Sequence, residues 1–235
     1  RFKDEELNRK KNDELLENDN LLKEPYLEIL PEYKAYVDEN NNKLYLPDLA
    51  DKLHTTFANV KDAKDFMGNF ISNGLMSYPP YKHQVEMLEK VFVDKQNAVI
   101  NSGTGSGKTE AFLLPLLASL YKEAKTWDTP RYNTNWFSQF CKEGYLPGQR
   151  DGEKRLSAVR SLILYPMNAL VEDQMTRLRK ALDSDEVRSF FDSDEGIKGN
   201  RIFFGRYNGN TPTPGRTDED SKQKRNKEAL LAIAN

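Results

Sequence analysis

Between Asn101 and Glu110 the chain reads Asn-Ser-Gly-Thr-Gly-Ser-Gly-Lys-Thr-Glu, with three glycines alternating with small polar residues ahead of a Lys-Thr pair. This spacing suits a cradle for phosphate groups. Gly103, Gly105 and Gly107 let the backbone take positive φ and approach an anion closely, so that main-chain N–H groups point at its oxygens. Ser102, Thr104 and Ser106 fill the remaining loop positions, and Glu110 closes the motif. The Lys108 ammonium can reach the β- and γ-phosphates of a nucleoside triphosphate, and the Thr109 hydroxyl can ligate Mg²⁺. The positive end of the following helix favours the same negative charge. Ser102 stands where the strict G-x-x-x-x-G-K-S/T pattern has its first glycine. Upstream, Tyr81 and Gln84 offer an aromatic ring and a carboxamide. The ring can stack on a base, and the amide can read the N6 and N7 edge of adenine.

A cradle of this kind needs a strand before it and a helix after it. Residues 97–100, Asn-Ala-Val-Ile, form a short β-branched run suited to a buried parallel strand, and 109–121 read as an apolar helix interrupted by Pro115. A second strand is expected over 158–165, stopped by Pro166, and Met167 opens a helix with Met167, Leu170, Val171, Met175, Leu178 and Leu182 inward. Arg177, Arg179 and Lys180 then form a small basic group on its outer side. A third strand, 201–204, leads into a polar loop in which Arg206, Asn210 and Thr211 could hold a phosphate. The carboxyl edge of such a sheet, where turns open into helices, is where ligands bind in open α/β folds.

Ahead of these units lie two short helices. One follows Asp48 as its cap and carries Leu49, Leu53 and Phe57; the other spans about 61–72, with Phe66, Met67, Phe70 and Ile71 on one face, and stops at Asn73-Gly74. Their apolar stripes are core-forming. The first two dozen residues are almost all charged or amide-bearing and read as an exposed helix or arm. Residues 25–36 alternate prolines with aromatic and aliphatic residues, as an extended segment crossing another surface would. The fold class is therefore α/β: an incomplete P-loop lobe with a parallel sheet over 76–235, preceded by a charged arm and helical leader over 1–75. An irregular insertion at about 122–158 carries Trp127, Trp136, Phe137 and Phe140. A connection of that length is normally either functional or disordered, and its aromatics point to ordinary packing or a partner contact ahead of base stacking. Ser221 is a cap for a last helix carrying Leu230, Leu231 and Ile233.

At 235 residues the chain holds one sizeable domain and an appendage. Its single cysteine, Cys141, excludes an intrachain disulfide and fits a reducing, cytoplasmic setting. A net charge of −2 gives no global basic signature, so any nucleic-acid surface must be a local patch. The longest apolar stretch is too short to cross a bilayer, and two histidines with one cysteine cannot make a structural zinc site. The start at Arg1 suggests a fragment.

The order of motifs resembles that of superfamily 2 helicases of the DEAD/DEAH type. It runs from the Gln84 region through Ser102 to Phe112, then Leu164-Tyr165-Pro166-Met167-Asn168-Ala169-Leu170-Val171-Glu172-Asp173-Gln174, then Tyr207-Asn208-Gly209-Asn210-Thr211-Pro212. Within that superfamily the likeness is to large bacterial enzymes related to the RecQ-like and Lhr-like groups, some of them in the Druantia and DISARM antiphage systems. It covers about residues 25–214. The resemblance implies a RecA-like lobe, ATP and Mg²⁺ as cofactors, and DNA as partner, with protein partners in a defence complex and no membrane. Tyr81, Gln84 and residues 102–110 would hold ATP, Lys108 and Thr109 would serve hydrolysis, and Thr109 would be the Mg²⁺ ligand. Pro166, Met167 and Asn168, with Gly209, Asn210 and Thr211, would hold the phosphates of one nucleic-acid strand. Such contacts carry no sequence information.

Neither an Asp-Glu-x-His nor an Asp-Glu-Ala-Asp box occurs in the chain. The family's carboxylate pair and second lobe are thus expected outside this stretch, which alone should not hydrolyse ATP at a useful rate. Alternatives are an RNA helicase, another P-loop enzyme such as a kinase or a transporter ATPase, and a non-catalytic docking module.

Overall fold

The computed structural model describes residues 4–17, 32–53, 56–128, 155–156 and 158–207. The chain divides into two compact units, Arg1–Glu32 and Tyr33–Asn235. In the first, α1 (Glu5–Glu17) is polar all round, and Leu7 is exposed. The Asp4 carboxylate accepts the N–H groups of Glu6 and Leu7 at 2.9 and 3.2 Å, so a side chain serves two of the donors that a helix start leaves free. This is the exposed helix expected of a charge run.

The second unit opens with residues 33–45. Ala35 pairs with Tyr81 and Val37 with Lys43 in isolated antiparallel bridges, and the Tyr36 N–H donates to the Pro80 carbonyl at 2.8 Å. Between 37 and 43 the chain reverses about Asp38, whose carboxylate accepts the N–H groups of Asn40 and Asn42 while Asn41 takes φ +64. The Asn42 side-chain amide, which donates to the same carboxylate at 3.0 Å, and then the two backbone bonds hold the Asp38 carboxyl below its ordinary pKa. The expected extended segment therefore lies, at residues 34–36, alongside the entry to the Gln84 helix.

A 3-10 turn (Leu46–Leu49) runs into α2 (Ala50–Leu53). Asp48 was expected to be the cap residue. It lies instead inside the turn, with its carboxylate reaching back to the Tyr45 N–H at 2.8 Å. Next come α3 (Val60–Asp65), capped by Asn59, a π-helical stretch (Phe66–Ile71) and α4 (Ser72–Gly74), which together make the second expected helix and its stop. Following the bridge at Tyr81, α5 (Lys82–Leu88) continues as a second π stretch (Glu89–Val93), and α6 (Lys108–Ala124) follows the glycine loop. Pro115 sits within α6 and is buried. Last are α7 (Asn168–Asp183) and α8 (Asp185–Asp192).

One core joins these helices. Phe66 lies 5.2 Å from Phe57, 5.6 Å from Phe70 and 5.5 Å from Tyr121, ring centre to ring centre, and Phe70 meets Phe191 edge-on at 4.8 Å. Leu113, Leu114 and Leu117 of α6 and Val85 and Leu88 of α5 complete it. At its margin Lys125 pairs with Asp62 at 3.1 Å. Gly74 permits a close approach of two helices: a Cβ there would lie 2.6 Å from the Ala181 carbonyl oxygen, so only glycine lets α4 abut α7.

No strand or ladder occurs among the described residues of the three expected strands, 97–100, 158–165 and 201–204, so the parallel sheet is not formed there. Ile163, Ile202 and Phe204 pack on the helical core, while Val99, Val159, Leu162 and Leu164 are exposed, Val99 to 95%. β-branched and aliphatic runs favour strands only when a neighbouring strand completes the ladder and both faces are covered. Here the residues of these segments packed on the core are Ile163, Ile202 and Phe204, and none of 97–100 is among them. The insertion lies mostly outside the described residues, as do residues 208–235 with the expected final helix.

Candidate functional site

The glycine loop ends where α6 begins. Gly107 is the residue before the helix, at φ +70, and Gly105 is at φ +74. Gly107 needs glycine on two counts, because a Cβ would also lie 2.3 Å from the Gln84 Nε2. Around Gly105 there is open space, so only its backbone conformation calls for glycine. No side chain caps α6, so the N–H groups of its first turn face the loop without intrahelical acceptors. The Lys108 Nζ turns back to donate to the carbonyls of Ser102, at 2.8 Å, and Gly103. Ser102 and Ser106 join through their hydroxyls at 2.6 Å. Gly103, Thr104 and Gly105 are exposed, whereas Ser106 is buried.

α5 braces this loop from below. The Gln84 Nε2 donates to the Gly107 carbonyl at 3.0 Å, and its Oε1 accepts the Tyr81 N–H at 2.8 Å. His83 donates from Nε2 to the Ser106 carbonyl at 2.8 Å, which fixes the proton on that nitrogen because a carbonyl only accepts. The Tyr81 ring stacks on His83 with centroids 5.7 Å apart, and Tyr33 approaches both rings. Gln84 is fully buried. Its carboxamide thus supports the glycine loop, with one N–H and one carbonyl lone pair left over. His83 was not foreseen; its place one residue from Gln84 at a helix start is the signal that pointed there.

On the other side, α7 meets the start of α6 through polar groups. Glu110 is 7% exposed and forms an ion pair with the Arg177 guanidinium, which also bonds Asp173 through Nε at 3.1 Å. Gln174 is buried, with its Nε2 3.5 Å from the Thr109 hydroxyl and 3.2 Å from Asp173. Burial disfavours the Arg177 charge, but the bond to Asp173 and the fields of Glu110 and Asp173 more than offset it, leaving its pKa raised. Tyr78 and Tyr165 border the cluster, and burial raises both phenols above their ordinary pKa. The Tyr165 hydroxyl is buried without a hydrogen-bond partner.

Arg177 was expected on the outer side of this helix, and Met167 and Leu170 on the inner. The structure departs from this at the start of the helix, where Met167 is 61% exposed and Leu170 is exposed, and agrees further along, where Leu182 is buried and Arg177 stays exposed while its guanidinium reaches Glu110; Gln174 and Ala181 are buried as well. Gln174, Arg177 and Ala181 recur at i, i+3 and i+7, a helical stripe of their own that the neighbouring apolar stripe obscured. Pro166, Met167 and Asn168 form an exposed turn at the N-terminal end of α7. Arg206, one of the expected phosphate holders, pairs with Glu172. Gly209, Asn210 and Thr211 lie outside the described residues.

These groups fit a triphosphate: an uncapped helix start, two left-handed glycines and a lysine held only by loop carbonyls. For Mg²⁺ the fit is narrower. Thr109 offers one hydroxyl, the nearby carboxylates of Glu110 and Asp173 are engaged by Arg177, and no cluster of three metal-binding side chains occurs among the described residues. Magnesium held by one protein oxygen together with phosphate oxygens and water agrees with that set.

The sequence pattern of the DEAD/DEAH box helicases matches residues 81–232. The Druantia protein DruE of Escherichia coli is 32% identical over 204 residues, 86% of this chain and 9% of that protein. A mitochondrial ATP-dependent RNA helicase, MRH4 of Eremothecium gossypii, is 29% identical over 136 residues, 56% of this chain and 21% of that protein. The chain thus spans a small part of the length of either relative. No solved structure matches it.

Proposed function

The chain belongs to the DEAD/DEAH box helicase family, and on that premise we propose that it is the ATP-binding portion of a DNA helicase or translocase. The family carries a RecA-like fold. In our reading, 1–75 are a leader and 76–235 the first part of that lobe, and segments 97–100, 158–165 and 201–204 become its parallel strands. One observation carries the nucleotide assignment: the Lys108 ammonium is held by two loop carbonyls at the mouth of an uncapped helix. Phosphate oxygens are stronger acceptors for an ammonium than neutral carbonyls are. A triphosphate would therefore draw Lys108 away from Ser102 and Gly103 while residues 102–110 supply N–H groups and Thr109 meets Mg²⁺. Gln84 holds the loop in register; it is fully buried, so its spare donor and acceptor reach adenine only if binding uncovers them, alongside the half-buried Tyr81 ring. When bound, ATP and Mg²⁺ supply the phosphoanhydride and the charge neutralisation on which hydrolysis depends.

The exposed turn Pro166–Asn168, with residues 209–211, would take the backbone of one strand. Hydrolysis itself requires carboxylates that this stretch does not contain, so the enzymatic activity belongs to the complete polypeptide. DNA is the partner implied by the resemblance to the large bacterial enzymes, and likeness to DruE supports a role in antiphage defence with protein partners. The likeness to MRH4 favours a second reading, an RNA helicase. Among the described residues no helix is long and apolar enough to cross a membrane; the cytoplasmic location in this reading rests on the single cysteine.

Lys108→Ala in the complete polypeptide tests the assignment. ATP turnover should fall on the order of a hundredfold or more, and retained turnover would remove it. Stimulation by DNA and RNA strands of equal length then separates the two partners.

A further inference from the structure

We infer that His83 is a positioning residue for the phosphates: by holding the Ser106 carbonyl, it aims the Gly107 N–H of the same peptide unit at the anion. The inference rests on the reading of the glycine loop as an ATP site.

A trans peptide unit is planar, with its C=O and N–H pointing in opposite directions, so a bond that fixes one also fixes the other. Two consecutive units of the loop are fixed in this way by two consecutive residues at the start of α5. The His83 Nε2 donates to the Ser106 carbonyl at 2.8 Å, and the Gln84 Nε2 to the Gly107 carbonyl at 3.0 Å. The Gly107 carbonyl also accepts the Ala111 N–H at 3.0 Å. The N–H groups of Gly107 and Lys108 therefore point away from α5, and neither meets an acceptor among the described residues. A row of such N–H groups is what binds an anion.

Gly107 is the reason the grip of His83 is needed. It sits between the two units at φ +70, and a glycine lets the unit ahead of it turn over at little steric cost. A turned unit would present the Ser106 carbonyl to the phosphates, negative charge to negative charge. Gln84 acts one unit further on, and the Ser102–Ser106 bond holds the Ser106 hydroxyl rather than its carbonyl. Lys108 holds the carbonyls of Ser102 and Gly103, which it would leave for a triphosphate. The imidazole is held in its turn: Tyr81 stacks on it, and Tyr33 meets it edge-on at 5.9 Å. Those two rings are fixed through the backbone, where the Lys82 N–H donates to the Lys34 carbonyl at 3.0 Å and Ala35 pairs with Tyr81. The extended residues 33–36 thus act on the loop through the His83 ring.

The test is made in the complete polypeptide with three variants. His83→Leu removes the donor, His83→Asn carries an amide too short to reach Ser106, and His83→Gln carries one whose nitrogen reaches as far as the imidazole Nε2. The readouts are Kd for ATP, kcat at saturating ATP, and Ki for inorganic tripolyphosphate as a competitor, which has the phosphates and no base. In H83L and H83N, Kd and Ki should rise together about fivefold, as the loss of one ordinary hydrogen bond predicts. Their kcat should stay within about twofold, because these N–H groups serve ground state and transition state alike. H83Q should recover most of both affinities. Should H83L not fold, H83N against H83Q decides by the same criteria. An unchanged Ki in the donor-free variants overturns the inference and leaves the ATP site standing; a loss confined to ATP would place the action of His83 at the base. An H83Q as weak as H83N, or one that does not fold, overturns the hydrogen bond as the cause. An unsubstituted protein that binds neither ATP nor tripolyphosphate overturns both the reading and the inference.

Discussion

The helical core and the three segments at its edge have similar apolar content but opposite burial. Phe66, Phe70, Phe92, Leu113 and Tyr121 are buried on every side. Val99, Val159, Leu162 and Leu164 face solvent although each sits in a run rich in aliphatic residues. The difference is one of partners. An amphipathic helix makes its backbone bonds internally and needs only another helix against its stripe, whereas a strand needs neighbours for its ladder as well as cover on both faces. Helices from 46 onward meet those needs within this stretch. The edge segments meet half of them, through Ile163, Ile202 and Phe204 on the core side.

The comparison breaks most readily in the core. Phe66→Ala removes a ring in contact with Phe57, Phe70 and Tyr121, and should cost about 3–5 kcal/mol of unfolding free energy in urea titration of this chain. A loss below about 1 kcal/mol would mean that the aromatic cluster is not what holds the helices together.

The same contrast explains what could be read from sequence. Gly105, Gly107 and Lys108 were legible because their chemistry is local: positive φ and an ammonium one residue into a helix follow from residue type and spacing. The two leader helices were legible from apolar spacing, apart from the π-helical turns at Phe66–Ile71 and Glu89–Val93, which periodicity cannot distinguish from α. Strand propensity at 158–165 identified the segment and not its state, because a ladder depends on partners elsewhere. The Glu110–Arg177 pair escaped for a related reason. Arg177 sits with Arg179 and Lys180 among the basic residues of α7, and only the docking of α6 decides which of them meets Glu110.

A smaller effect separates the core from its rim by pH. Burial, reinforced by the charges of Asp62 and Asp65, raises the Tyr121 phenol above its ordinary pKa. Above about pH 10 the unfolded chain has lost a proton that the folded chain keeps, so stability falls as pH rises. The loss from this group reaches at most about 1.4 kcal/mol per pH unit. Below pH 10 its contribution is fully present. Tyr121→Phe gives up only a long bond to the Glu195 carbonyl, at 3.5 Å, and should flatten the alkaline limb of a melting-temperature profile. Unchanged alkaline sensitivity would assign that limb to Tyr78 and Tyr165, whose phenols are also raised.

The smallest effect is the most discriminating. Leu164 is 80% exposed, so Leu164→Ala should change the stability of this chain by no more than about 0.5 kcal/mol, against about 2–5 kcal/mol for Leu113→Ala in the buried face of α6. In a longer polypeptide where 158–165 is an inner strand of a parallel sheet, Leu164 would be covered, and the same substitution should cost as much as the Leu113 change. Urea unfolding of the two variants in both contexts measures the gap directly. A gap that closes in the longer polypeptide means that the exposed aliphatic row is the unfinished face of a sheet. A gap that stays open means that the segment remains at the surface, and the sheet proposed for this lobe must be built from other strands.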